Sequence, residues 1–127
     1  MTRKNQNTTL ALPPHRGQVR LAIIGAGGMA ANHARQFSKI RGCRLVSVCD
    51  VDVNRVNTFA ETHGIPGRYT SLEEMLAAEQ LDAVTIVTPD AFHAPLAIQC
   101  LQAGKHVLCE KPLALNHADA TLMVKVA

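Results

Sequence analysis

Four short stretches of the chain hold residue types and spacings that could do chemistry. The first is "GAGGMA", in which Gly25, Gly27 and Ala30 fit the pattern G-x-G-x-x-A. Gly25 permits a tight turn, Gly27 lets backbone come close to a pyrophosphate, and Ala30 lets a following helix lie near a sheet. The second is Asp50, which closes "LVSVCD" 25 residues after Gly25. A carboxylate there can accept both hydroxyls of a ribose diol and repels a 2′-phosphate, which favours NAD over NADP. The third is "TPDAFH", with Thr88, Pro89 and His93, and the fourth is "CEKP", with Glu110, Lys111 and Pro112. Pro112 restricts Lys111 to extended backbone and so pre-orders a long cation. Glu110 can pair with that lysine or orient a neighbour.

Each stretch also has a plainer reading. Glycine turns occur for steric reasons alone, and an aspartate after a strand is often a helix cap, although Asp52 is better placed for that task. Arg55, close to the same strand end, is able to hold a 2′-phosphate. His93 alone reads as a polar residue on a partly buried helix face. A Lys-Pro pair is a surface turn in most proteins.

The elements that must position these residues alternate along the chain. "VRLAIIG" is an apolar strand ending in glycine, and "GMAANHARQFSKI" is an amphipathic helix with Ala30, Ala34 and Phe37 on one face. "CRLVSVCD" is a second strand. "NRVNTFAETHG" is a helix with Val56, Phe59 and Ala60 inward, stopped by Gly64. A short third strand surrounds Arg68-Tyr69. Ser71 and Glu74 form an S-x-x-E capping box. "LDAVTIVTP" is a fourth strand, "AFHAPLAIQCLQAG" a helix with Pro95 near its first turn, "KHVLCE" a fifth strand, and a further helix starts at Asn116. Strand–helix alternation with short connections gives a parallel, doubly wound α/β sheet. In such a sheet ligands bind beyond the carboxyl ends of the strands, where all four stretches fall.

Composition narrows the class. The 127 residues are 47% hydrophobic, enough to fill one core. The net charge is +3, but Arg3, Lys4, Arg16 and Arg20 fall in the first twenty residues without an acid among them, and the other nine basic residues face ten acids. The body therefore offers no nucleic-acid face. Residues 1–18 read as a disordered leader, and residues 19–127 as the domain. No stretch reaches the roughly 18 apolar residues that would cross a bilayer. Cys43, Cys49, Cys100 and Cys109 form no C-x-x-C pair and read as buried, reduced thiols, which points to the cytoplasm. No metal site is expected.

Taken together, "IIGAGGMA", "VTPDAFHAPLA" and "GKHVLCEKPLAL" resemble the nucleotide-binding half of the Gfo/Idh/MocA oxidoreductases, from about Val19 to the end. The resemblance implies a Rossmann fold that binds NAD, with NADP second. It places Gly25, Gly27, Gly28 and Met29 around the pyrophosphate and Asp50 on the adenosine ribose. Thr88, Pro89 and His93 would line the nicotinamide, and Lys111 would be the catalytic residue beside nicotinamide and substrate hydroxyl. The substrate would be a sugar, polyol or related hydroxy compound, and homo-oligomers are expected. The family's second domain and the last strand of its first are not in this sequence, so little turnover is expected of this chain alone. Two alternatives are a non-catalytic dinucleotide-binding module or partner subunit, and a methyltransferase, whose fold does not require the E-K-P strand end.

Overall fold

The structure, a computed structural model, describes residues 18–88 and 93–109. Strands β1 (Val19–Ile24), β2 (Cys43–Cys49), β3 (Gly67–Tyr69), β4 (Ala83–Ile86) and β5 (His106–Cys109) alternate with helices α1 (Gly28–Phe37), α2 (Val53–His63), α3 (Leu72–Ala78) and α4 (His93–Gln102). The strands form one sheet in the order β3-β2-β1-β4-β5, and every pairing is parallel. The order reverses between β1 and β4, so the chain winds outward in both directions from β1. This is the expected doubly wound sheet, and the weakly marked third strand is present.

Two apolar layers enclose the sheet. On one face Ile23 and Val48 pack with Ala30 and Ala34 of α1 and with Val56, Phe59 and Ala60 of α2. On the other, Ala22, Ile24, Val84 and Ile86 pack with Met75 of α3 and with Ala97 and Cys100 of α4. Burying each of the larger aliphatic side chains contributes about 1.5–3 kcal/mol. Alanines at 30 and 34, both buried, let α1 approach the strands closely. His33 adds a polar tie, with Nδ1 3.2 Å from the hydroxyl of fully buried Thr85 on β4.

Caps set the helix limits. Asp52 accepts the amides of Asn54 (2.9 Å) and Arg55 (3.2 Å) and starts α2, as expected of it rather than of Asp50. Gly64 ends α2 with a left-handed φ of 67°. The Ser71 hydroxyl accepts the Glu74 amide at 3.2 Å, the serine half of the capping box. α1 stops at Phe37, three residues before the end of its apolar pattern. Ser38 there donates its hydroxyl to the Arg35 carbonyl and the chain turns away, leaving Ile40 half exposed.

Two expectations need correction. Cys49 and Cys100 are buried, but Cys43 and Cys109 are only partly so, because they sit at the start of a strand and at the tip of the outermost described strand. No disulfide joins any of the four. β5 does not read as buried on both faces: His106 and Leu108 are exposed. They border an apolar cleft of about 500 Å³ that also touches Val19, Phe37 and Ile40. No helix among the described residues is long and apolar enough to cross a membrane.

Candidate functional site

The tips of four strands lie level. Ile24 is in register with Cys49 on one side and with Ile86 on the other, and Ile86 with Cys109. The residues that follow β1, β2 and β4 therefore meet at one end of the sheet, around the point where the strand order reverses.

Gly25 makes the turn out of β1. Its amide donates to the Cys49 carbonyl at 2.7 Å, and its φ is +108°. A Cβ at this position would lie 2.8 Å from the Val87 carbonyl oxygen and 2.9 Å from its carbon, with the Thr88 nitrogen at 3.2 Å. Glycine is thus required twice, by conformation and by the backbone that follows β4 behind it. Thr88 is brought against the turn by the same contact. Gly27 and Gly28 differ: a Cβ on either would meet nothing within 4 Å. The protein leaves that space open, and small residues there leave room for a ligand to approach the backbone.

α1 begins at this turn without a cap. Gly27 supplies no side chain, and no acidic residue lies in the first turn. α2 and α3, by contrast, are capped by Asp52 and Ser71. The first amides of a helix have no intrahelical partner, and they carry about half a positive charge together. Met29, 55% exposed, stands in this first turn, and Ala30 is buried beneath it. The geometry fits a pyrophosphate.

Asp50 faces the turn from the tip of β2. Its Oδ2 accepts the Ala26 amide at 2.9 Å, and its Oδ1 accepts the Asp52 amide at 3.0 Å. Its own amide donates to the Tyr69 carbonyl at 3.1 Å. The Arg55 guanidinium lies 3.8 Å from Oδ2; it is 61% exposed, against 9% for the carboxylate. Burial, followed by the negative charge of Asp50, pushes the neighbouring Cys49 thiol up to about 11. That thiol is therefore a packing group. A cleft of about 440 Å³ opens beside the turn between α1 and α2, lined by Ala26, Gly27, Asn54, Arg55 and Thr58 among others.

Of the residues singled out in the sequence, Gly25, Gly27, Gly28, Met29, Ala30, Asp50 and Thr88 come together here. His93 opens α4. Pro89, Glu110, Lys111 and Pro112 lie outside the described residues. Sequence reasoning missed the bonds from Asp50 to the Ala26 and Asp52 amides. Their signal is the proximity of two turns, and no residue type announces it. Among the described residues, no group of three or more His, Cys, Asp or Glu could hold a metal ion.

Residues 19–127 match the family model described as "Oxidoreductase family, NAD-binding Rossmann fold", GFO_IDH_MocA. The chain belongs to this family. Among Gfo/Idh/MocA relatives it is 38% identical over 108 residues to the inositol 2-dehydrogenase of Rubrobacter xylanophilus, covering 84% of this chain and 30% of the relative. It is 40% identical over 103 residues to the D-apiose dehydrogenase of Paraburkholderia graminis, covering 81% and 28%. Among solved structures, the WlbA dehydrogenase of Chromobacterium violaceum, in complex with NADH and UDP-GlcNAcA, superposes with a TM-score of 0.87. It shares 36% identity, with 94% of this chain and 35% of that one covered. The chain spans about a third of the length of such Gfo/Idh/MocA proteins.

Proposed function

We propose that this chain is the cofactor-holding part of an oxidoreductase that uses NAD in preference to NADP and acts on a sugar, polyol or related hydroxy compound. The observation that carries the reading is the uncapped start of α1, set in a glycine turn with Asp50 across from it. The α1 amides would hold the pyrophosphate. Asp50, which keeps free lone pairs beside its two amide bonds, would accept the hydroxyls of the adenosine ribose. Thr88, with Pro89 and His93 beyond it, would line the nicotinamide side.

When bound, the cofactor supplies the hydride chemistry at its nicotinamide ring. The task left to the chain is to bind, orient and handle a proton. Lys111 would position the substrate hydroxyl and hold or release its proton, with Glu110 orienting the ammonium and Pro112 fixing the backbone. The names of the relatives, an inositol and an apiose dehydrogenase, support a polyhydroxylated substrate.

The preference for NAD rests on the charge beside the ribose. Asp50 is nearly buried and fixed, whereas Arg55 is largely exposed and in contact with that same carboxylate. A 2′-phosphate would have to displace this pairing and sit against a carboxylate. Titration of the chain with NADH and NADPH, followed by nicotinamide fluorescence, should give saturable binding that is about tenfold tighter for NADH, the equivalent of one lost charged interaction. Binding of S-adenosylmethionine with no nicotinamide binding would overturn the reading.

A further inference from the structure

The Asp50 carboxylate does more than face a ribose. Its two oxygens are bonded to two turns at once. One holds the amide of Ala26, inside the glycine turn, and the other the amide of Asp52, which caps α2. Asp52 in turn holds Asn54 and Arg55. The β1–α1 and β2–α2 turns are thereby joined through one side chain that is only 9% exposed. The glycine turn is held at its start, where Gly25 packs against the Val87 backbone. The Gly25 amide is fixed to Cys49, but Gly27 has no side chain to bond, and a Cβ on Gly27 or Gly28 would meet nothing within 4 Å.

We propose that Asp50 is a positioning residue for pyrophosphate binding: by holding the Ala26 amide it fixes the glycine turn, so that its loss weakens binding even of ligands that have no ribose hydroxyls. The proposal rests on the reading above that this turn binds the cofactor's pyrophosphate. A carboxylate accepts at both oxygens. An asparagine can accept at only one and turns an N–H donor toward the other amide. Asp50→Asn therefore frees one turn or the other, whereas Asp50→Ala, with no acceptor, frees both. Bonds to an ionised acceptor are the stronger kind, so the change is large enough to read.

The proposal has a further consequence. Exchanging Asp50 for a neutral residue to admit a 2′-phosphate also loosens the pyrophosphate turn. Affinity for both cofactors falls, and selectivity is not simply inverted.

The test compares the whole chain with its Asp50→Ala and Asp50→Glu variants. Each is titrated with NADH, ADP and 2′,3′-dideoxy-ADP, the last of which keeps the diphosphate and lacks both hydroxyls. Two-dimensional amide NMR follows the Ala26 resonance, and urea unfolding confirms that each variant is folded. For Asp50→Ala we expect about a tenfold loss for dideoxy-ADP, at least as large a loss for ADP, and a displaced, faster-exchanging Ala26 amide in the free protein. Asp50→Glu, which keeps the charge, should recover part of the dideoxy-ADP affinity. Loss for ADP but none for dideoxy-ADP, with an unmoved Ala26 resonance, would overturn the proposal and leave Asp50 as a ribose ligand only. Failure of the unsubstituted chain to bind NADH, ADP or dideoxy-ADP would instead overturn the cofactor reading itself. If both the alanine and glutamate variants fail to fold, hydrogen exchange of the Ala26 amide is compared at one pH with that of the Gly27 and Gly28 amides in the unsubstituted chain. Ala26 exchange as fast as theirs refutes the pin, and markedly slower exchange at Ala26 supports it.

Discussion

Replacing Gly25 with alanine tests how the site is built. The backbone there has φ +108°, a region where an L side chain costs about 1–2 kcal/mol. The added Cβ would also lie 2.8 Å from the Val87 carbonyl oxygen. That oxygen is backbone, and the Val87 amide is itself bonded to the Ile24 carbonyl at 2.8 Å, so neither strand can yield without losing sheet bonds. Such overpacking costs about 1–3 kcal/mol. Together the penalties reach about 2–5 kcal/mol, a large share of the 5–15 kcal/mol that typically stabilises a domain. With a denaturant slope of about 2 kcal/mol per molar, the urea midpoint should fall by about 1–2.5 M. Gly64→Ala is the matched control. Gly64 also has positive φ, at 67°, but a Cβ there meets nothing within 4 Å, so only the conformational cost of about 1 kcal/mol applies. Both variants would be followed by circular dichroism in urea, with NADH titration alongside. Equal midpoints for the two alanine variants would refute the steric argument. A Gly25→Ala protein with the midpoint and NADH affinity of the unsubstituted chain would refute the account of the turn altogether.

Asp52→Ala should lower stability by about 1 kcal/mol, because two amides at the start of α2 lose their acceptor; urea midpoints check this. Alkaline pH should also destabilise the fold. Burial pushes Cys49 to about 11 and Cys100 to about 12 from an ordinary 9.0, and a hydrogen bond to Glu79 raises Tyr69 above its ordinary 10.0. The folded chain then keeps protons that the unfolded chain releases, so stability is full below about pH 9 and declines as pH climbs toward 11 and 12. Unfolding midpoints measured from pH 7 to 11 would show a plateau and then a fall; a rise would reverse the sign.

How much of this was legible in the sequence depends on the range of the interaction concerned. α2 could be read at both ends, because its cap residue Asp52 and its terminator Gly64 act on neighbouring amides. The glycine turn could be placed because it lies between an apolar run and an alanine-bearing helix. The end of α1 could not, since the apolar pattern runs on to Ile40 while the Ser38 hydroxyl competes for a helix carbonyl. Nor could the register shift where β2 slips past β1 near Leu21 and Ala22, which skips Val46 in the pairing. The two bonds of Asp50 and the Val87 carbonyl behind Gly25 were hidden for a related reason: they depend on which turns and strand ends the fold sets side by side. The partial exposure of Cys109 follows from strand order, which local composition does not record, and that of Cys43 from its place at the start of β2.

The reversal of strand order also sets when the crevice can exist during synthesis. β1 rests on β4, and contacts between their ends such as Arg20 to Asp82 span 62 positions. A ribosome that has made only the first half of this sheet has already produced the glycine turn and Asp50. The carbonyl that backs Gly25 is not yet there, and one side of the turn faces water. The cradle proposed for the nucleotide is thus begun by the earliest strand and completed only when β4 arrives, so a nascent chain carries the recognisable motif well before the turn is backed on both sides.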